Sequence, residues 1–268
     1  MVQNLQPDLI ISDNRYGLYH ATTPCIFITH QLNIQSGNSW LNKIIRKINY
    51  RYINRFTRCW IPDTETSDNL AGKLAHPTLL PEKPVDYIGP LSRFSRKILA
   101  EKITLTILLS GPEPQRTIFE NILLSQVSQV KGTIAFVRGL PDAETLPEIQ
   151  QDGLCFYNHL PASQLEDLLN ESQLVVCRAG YSTIMDLVAL EKKAILVPTP
   201  GQTEQEYLAA SLFKKGIFYS AQQENFSLAD ALEAIKSFEF RKPGSYRINH
   251  SLILQQVKEI TGKNKVSN

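Results

Sequence analysis

Several short runs in this chain are apolar at every residue, LVVC (174–177) and the AILV of AILVP (194–198) among them. A strand that alternates buries one face. One that is apolar throughout must be covered on both, the condition of a parallel sheet with helices on each side. Further β-rich runs are DLIIS (8–12), CIFIT (25–29), RCWI (58–61), ITLTILL (103–109) and TIAFV (133–137). Helical spacing fills 114–128, 163–171, 182–191, 204–215 and 228–238. Strand and helix thus alternate, which predicts an α/β fold of the doubly wound kind.

The alternation is interrupted near 77–95, where PTLLPEKPVDYIGPLSRF carries four prolines and little helical period. We read it as a linker between an N-terminal domain over 1–89 and a second domain over 90–250, with a C-terminal helix and tail over 251–268. The second domain holds four of these runs and is read as a sheet of five or six strands, a complete one. The first holds three, few for such a unit and leaving an edge to be covered. That shortfall predicts either an N-terminal portion beyond this chain or a second polypeptide that supplies it.

An apolar fraction of 43% across 268 residues is enough for such cores. The net charge of +2 excludes a protein coated in one sign of charge, yet residues 1–100 hold 12 Lys+Arg against 7 Asp+Glu. Cys25, Cys59, Cys155 and Cys177 stand singly with no CxxC pair, which points away from a metal site and toward a reducing cytoplasm. No apolar run approaches the ~20 residues needed to cross a bilayer, and no signal-peptide pattern opens the sequence.

In a parallel sheet, ligands gather at the carboxyl ends of the strands. LVVC runs into Arg178-Ala179-Gly180-Tyr181-Ser182-Thr183 and then a helix. Gly180 permits close backbone approach, the first-turn N–H groups can hold an anion, and Ser182 and Thr183 add hydroxyls. Asp186, one turn in, can accept from a vicinal diol. The same residues also suit a simple helix cap with an acid on its dipole. AILVP ends in a polar turn with Gln205 and Glu206, able to meet sugar hydroxyls or to form a capping box with Thr203. ITLTILL ends in Ser110-Gly111-Pro112-Glu113-Pro114-Gln115-Arg116, where backbone N–H groups and Arg116 can address phosphate. Neither GxGxxG nor a P-loop occurs.

Together these residues carry a resemblance. CRAGYSTIMDLVAL…KAILVPTPGQTEQEYLA is similar to the donor signature of the GT-B glycosyltransferases related to the bacterial GlcNAc transferase that makes lipid II. PDLIISDNRYG, THQLN, GPLSR and SGPEPQR find counterparts in the same order. The resemblance implies two Rossmann-like domains, the first shortened, and transfer of GlcNAc or a related hexose from a UDP-sugar with inversion. It implies no metal and no cofactor beyond that co-substrate. By position, Ser182 and Thr183 would face the diphosphate, and Asp186 would take the ribose where the family has Glu. Gln205 would read the sugar, with Glu206 in place of a second glutamine. Backbone at His159-Leu160 would hold the uracil, while Arg93 and Gly111 would lie near the nucleotide. His30 and Asn33 of THQLN would line the acceptor side.

The transfer needs a base for the acceptor hydroxyl. His30 and Asp13, each ending a strand run, are the candidates. His20, His76 and His250 have no constellation around them in sequence. Residues 40–60, WLNKIIRKINYRYINRFTRCW, hold six Lys/Arg and no acid, with Leu41, Ile44, Ile45, Ile48, Tyr52, Ile53 and Phe56 at helical spacing. Such a helix suits an anionic membrane surface and a lipid-linked acceptor, or a packed helix with a solvated basic face. Nucleic acid is not expected. Two rival readings stay open: a UDP-GlcNAc 2-epimerase-like isomerase, and a non-catalytic nucleotide-sugar binder that pairs with another chain.

Overall fold

A computed structural model describes residues 5–34, 39–241 and 246–262. The chain forms two compact units, Met1–Leu91 with Ser245–Asn268, and Ser92–Gly244.

The first unit is built on a parallel sheet of β1 (Ile10–Asp13), β2 (Cys25–Ile28), β3 (Arg58–Ile61) and β4 (Val85–Tyr87), paired in that order. The sequence reading supplied three of these strands. The fourth lies inside the proline-rich run read as a linker. Its prolines fall outside the paired residues, and Pro84 accepts the Cys59 N–H through its carbonyl, so a three-residue edge strand forms where a longer one would not. Alternation along β2 sends neighbours to opposite faces. Phe27 packs on Phe56 and Tyr16 beneath α1 (Ser39–Ile53). Ile26 joins Trp60 and Ile88 under Leu252, Ile253, Val257 and Ile260.

Those last four residues lie on the C-terminal helix, which the sequence reading set apart at 251–268. This helix, α7 (His250–Thr261), packs within the first unit. Asn249 caps its start by accepting from the Leu252 N–H, and Gly262 ends it in the left-handed conformation at φ 66°. The tail at 263–268 lies outside the described residues.

The second unit is a parallel six-stranded sheet: β5 (Leu105–Leu108), β6 (Ile134–Val137), β7 (Leu154–Tyr157), β8 (Leu174–Cys177), β9 (Lys193–Leu196) and β10 (Tyr219–Ser220). The spatial order is β10-β9-β8-β5-β6-β7. Read from the other edge, this is the 3-2-1-4-5-6 arrangement of dinucleotide-binding folds, and the order reverses between β5 and β8. The connecting helices are α2 (Gln115–Leu124), α3 (Ala162–Asn170), α4 (Tyr181–Ala189), α5 (Thr203–Lys214) and α6 (Leu228–Ser237). LVVC is buried at all four positions, as its composition requires.

Candidate functional site

At the carboxyl ends of β5, β6 and β7 the second unit opens a cavity of about 270 Å³. Its walls are strand-end and helix leucines, including Leu108, Leu160, Leu165 and Leu187, and its polar groups are Ser110, His159, Thr183, Asp186 and Arg93. The position follows from topology, since strands leaving in opposite directions from the reversal point part their connecting loops there. Gly139 forms part of the wall at φ +71°, where a Cβ would meet the Leu109 carbonyl oxygen at 2.5 Å. Only glycine fits that approach, a requirement the sequence did not announce.

Asp186 faces this cavity from α4. Its carboxylate accepts from the Ser92 hydroxyl at 2.7 Å. Burial, the larger influence, holds its carboxyl above the usual carboxylate range, while the Ser92 hydroxyl and the charge and backbone N–H of Arg93 pull the other way. The Arg93 guanidinium rests over the Phe94 ring at 4.9 Å. Helix α4 begins at Gly180 with no side-chain cap. The cap residue is a glycine, so no cap side chain occupies this helix end, where first-turn N–H groups favour an anion. A Cβ at Gly180 would meet only Thr183 Oγ1, at 4.0 Å, so the approach to this turn is open. Gly111 has φ +106° and nothing near its missing Cβ.

Two arginines named in the sequence reading are spent elsewhere. Arg116 is 5% exposed and donates to Glu113 at 2.6 Å and Glu120 at 2.9 Å. Glu120 also pairs with Arg138, which in turn donates to Asn158 at 2.7 Å. Its guanidinium is held between buried Glu120 and Glu113, whose side chain is 52% exposed, where the sequence reading had aimed it at phosphate. Arg178 is 1% exposed. It donates to the carbonyls of Val197 and Pro198 at 3.3 Å and of Gln115 at 2.7 Å, and lies over Phe119. Burial lowers its guanidinium to about 10, leaving it charged at neutral pH. It ties the loops after β5, β8 and β9 together.

Gln205 and Glu206 lie in the first turn of α5, just past the turn that follows β9, and are not among the residues lining the cavity. Gln205 accepts from the Thr199 N–H at 3.0 Å and donates to Gln202, while Glu206 accepts from the Gly201 N–H at 2.9 Å. Both brace the turn. Glu206 accepts from Gly201, and the helix N-cap is Gln202, so Thr203 is not in the cap position that a capping box needs.

In the first unit, Asp13 ends β1 and is exposed, and His30 follows β2 by two residues. Asn33 is tied by its backbone N–H to the Leu74 carbonyl at 2.9 Å and by its side chain to the Lys73 carbonyl. Asn49 of α1, 4% exposed, donates to the Gln31 and Leu32 carbonyls and accepts from the Tyr16 hydroxyl. It fixes the THQLN loop, a role hidden in sequence among the polar residues of a basic helix. His76, which had no companions in sequence, has them in space: Asp63 at 3.5 Å and the Tyr87 ring, stacked at 4.6 Å. Burial, then the Asp63 charge, pushes the Tyr87 phenol up to about 12.

Residues 141–261 match the family described as the Glycosyltransferase family 28 C-terminal domain. A curated relative, the UDP-N-acetylglucosamine--N-acetylmuramyl-(pentapeptide) pyrophosphoryl-undecaprenol N-acetylglucosamine transferase of Haemophilus ducreyi, is 23% identical over 249 residues. The match covers 88% of this chain, which spans 65% of that relative's length. Among solved structures, the glycosyltransferase SnogD from Streptomyces nogalater superposes with a TM-score of 0.58 at 13% identity, over 97% of this chain and 74% of that one. The UDP-GlcNAc 2-epimerase from Neisseria meningitidis, bound to UDP-GlcNAc, gives 0.60 at 12% identity, over 96% and 78%. Strand order, site position and these likenesses agree: the chain has the GT-B fold, and residues 141–261 are similar to the glycosyltransferase family 28 C-terminal domain.

Proposed function

We propose that this protein transfers GlcNAc or a related hexose, with inversion, from a UDP-sugar to a lipid-linked acceptor. The observation that carries the reading is the cavity at the β5/β8 reversal, with Asp186 on one wall and the uncapped start of α4 at Thr183 beside it. Apolar walls suit a flat base, with the backbone at Leu160 for its edge. Asp186 suits a ribose diol, and the N–H groups of α4 suit a diphosphate. In the transfer those N–H groups, with the hydroxyls of Ser182 and Thr183, take up the charge that grows on the departing diphosphate. The reading thus calls for no metal, and transfer is expected to continue in excess chelator. The relative's name supplies the sugar and the acceptor class.

Helix α1 supports the lipid part. Ile53 and Phe56 are buried, whereas Ile44 and Ile48 are exposed beside Lys43, Lys47 and Arg51. Exposed Leu79 and Leu80 border the same basic surface. An apolar stripe flanked by cations suits an anionic bilayer, with each cation near the surface contributing about 1 kcal/mol. No helix among the described residues is long and apolar enough to cross a membrane. The reading places the protein peripherally, at the cytoplasmic face.

The test is calorimetric titration with UDP, UDP-GlcNAc and ADP. Selective uptake of the uridine ligands is expected. Asp186→Ala is expected to weaken UDP by about tenfold to a hundredfold, the range for hydrogen bonds to a charged group. Thr183→Val is expected to weaken UDP more than uridine. Parent-like binding by both variants would remove the site. An epimerase shares the fold, and product analysis separates the two: a new glycoside in one case, an epimerised UDP-sugar in the other.

A further inference from the structure

Behind the wall of the cavity in the second unit lies an ionic cluster that the reading above leaves unused. Arg138 follows β6 directly, and its side chain is 15% exposed. Its Nε donates to Glu120 on α2, a buried carboxylate that also accepts from Arg116 at 2.9 Å. Its Nη1 donates to the side-chain carbonyl of Asn158 at 2.7 Å and to the Thr145 carbonyl at 2.9 Å. Asn158, directly past β7, turns its own amide N–H to the Ala143 carbonyl at 2.7 Å. The backbone adds two bonds, from the Arg138 N–H to the Tyr157 carbonyl and from the Leu140 N–H to the Asn158 carbonyl.

Paired charges in an interior hold little advantage in stability over apolar side chains of the same volume, because desolvation offsets the attraction. What they add here is geometry. A guanidinium is a rigid planar fork, and bonds to a helix, a loop and a strand end leave it one placement. Both segments it joins adjoin the cavity. Gly139 follows Arg138, and His159 and Leu160 follow Asn158; these three line the cavity, while Arg138 and Asn158 stand behind them. The clamp thus fixes the strand end at Leu160 against the loop at Gly139. Leu160 is where that placement has chemical content. Among the described residues its N–H and carbonyl take no part in the hydrogen bonds of the chain, which leaves one donor and one acceptor beside the cavity. Uracil and cytosine can each satisfy such a pair, but only at different placements along the base edge, because donor and acceptor are exchanged between them. A fixed Leu160 tells the two apart; a loose one does not.

We propose that Arg138, seated by Glu120 and tied to Asn158, is the positioning residue that makes this cavity select uridine over cytidine nucleotides. The proposal rests on the UDP-sugar reading above and adds to it the device that fixes the base. Arg138 touches no part of the nucleotide in this scheme; it acts through the backbone at Leu160.

Calorimetric titration of the full chain with UDP and with CDP is the test, since the two ligands differ only at the base edge. The parent is expected to prefer UDP. Arg138→Met keeps an apolar stem and leaves Glu120 its partner Arg116, while Asn158→Ala removes the same tie from the other side without touching a charge. Each variant is expected to narrow the UDP-to-CDP affinity ratio by about tenfold or more, the scale of a misplaced hydrogen bond, with CDP affinity within about threefold of the parent. A cluster that only held the fold would weaken both nucleotides alike. A ratio within about threefold of the parent in either folded variant therefore overturns the proposal. Circular dichroism establishes folding, and Asn158→Ala decides the matter if Arg138→Met does not fold. A parent that binds neither nucleotide overturns the donor-site reading and the clamp with it. A parent that binds UDP and CDP equally overturns the clamp alone.

Discussion

Asp186 is asked to do two things that conflict. A buried carboxylate is costly, and the Ser92 hydroxyl with the Arg93 N–H offsets only part of that cost. Because the folded state raises its pKa, the folded chain holds more protons than the unfolded one just above the ordinary Asp value of about 3.9. Stability from this group is therefore complete at low pH and lost as pH rises through the raised value. Asp186→Asn keeps an acceptor for Ser92 and removes the charge. The variant is expected to melt above the parent at neutral pH, with the gain vanishing below about pH 4, while its UDP affinity falls. Melting curves across pH alongside a UDP titration check both halves. Glu120 presents the opposite case, since it is the shared partner of Arg116 and Arg138. Glu120→Gln leaves two guanidinium groups short of a counter-charge and is expected to cost about 3 kcal/mol in urea unfolding. The sequence already held the signal that Arg116 is structural. Glu113, Arg116 and Glu120 stand at i−3, i and i+4, the spacing of helix-surface pairs. Depth was the missing information, because spacing cannot distinguish an exposed pair from a buried one.

Helix α1 shows what periodicity conveys and what it leaves out. Seven apolar residues at helical spacing read as one face. In the structure they divide, with Ile53 and Phe56 buried and Ile44 and Ile48 exposed. Buried Asn49 belongs to the inward side, so polarity alone misassigned it. Ile53→Ala is expected to cost about 3 kcal/mol, as large-to-small changes in a core do. Ile48→Glu is expected to change stability by less than about 0.5 kcal/mol while reducing sedimentation with vesicles of anionic phospholipid. Equal loss of binding to neutral vesicles would show that charge plays no part. Strands fared by length and burial. LVVC was legible because every residue is buried. The three residues of β4 and two of β10 are too short to carry a period, and LCFY of β7 was passed over although it pairs along its whole length with β6. Such edges are specified by their neighbours.

At the scale of the whole chain, the least local feature is the partnership of α7 with the first sheet. Trp60 donates its indole N–H to Gln256 at 2.5 Å across 196 residues of sequence. Neither residue announces the other, since the pairing exists only once the second unit has been traversed. Leu252, Ile253, Val257 and Ile260 form one side of a helix at i, i+1, i+5 and i+8, and they cover Ile26, Trp60 and Ile88. If this cover is the main role of α7, damage to it should be confined to its own unit. Val257→Asp places a charge against that cluster, and the cost of burying it unpaired should loosen the sheet. Hydrogen exchange is expected to rise in β2 and β3 and to remain at parent values in β5 and β8. UDP affinity should be unchanged, because the lining of the candidate donor cavity falls wholly within Ser92–Gly244. Conversely, saturating UDP should slow exchange in the second unit, adding about 2.7 kcal/mol at a hundredfold excess over Kd. Exchange that rises in both units together, or UDP affinity that falls with Val257→Asp, would show that the two units share one cooperative unfolding event.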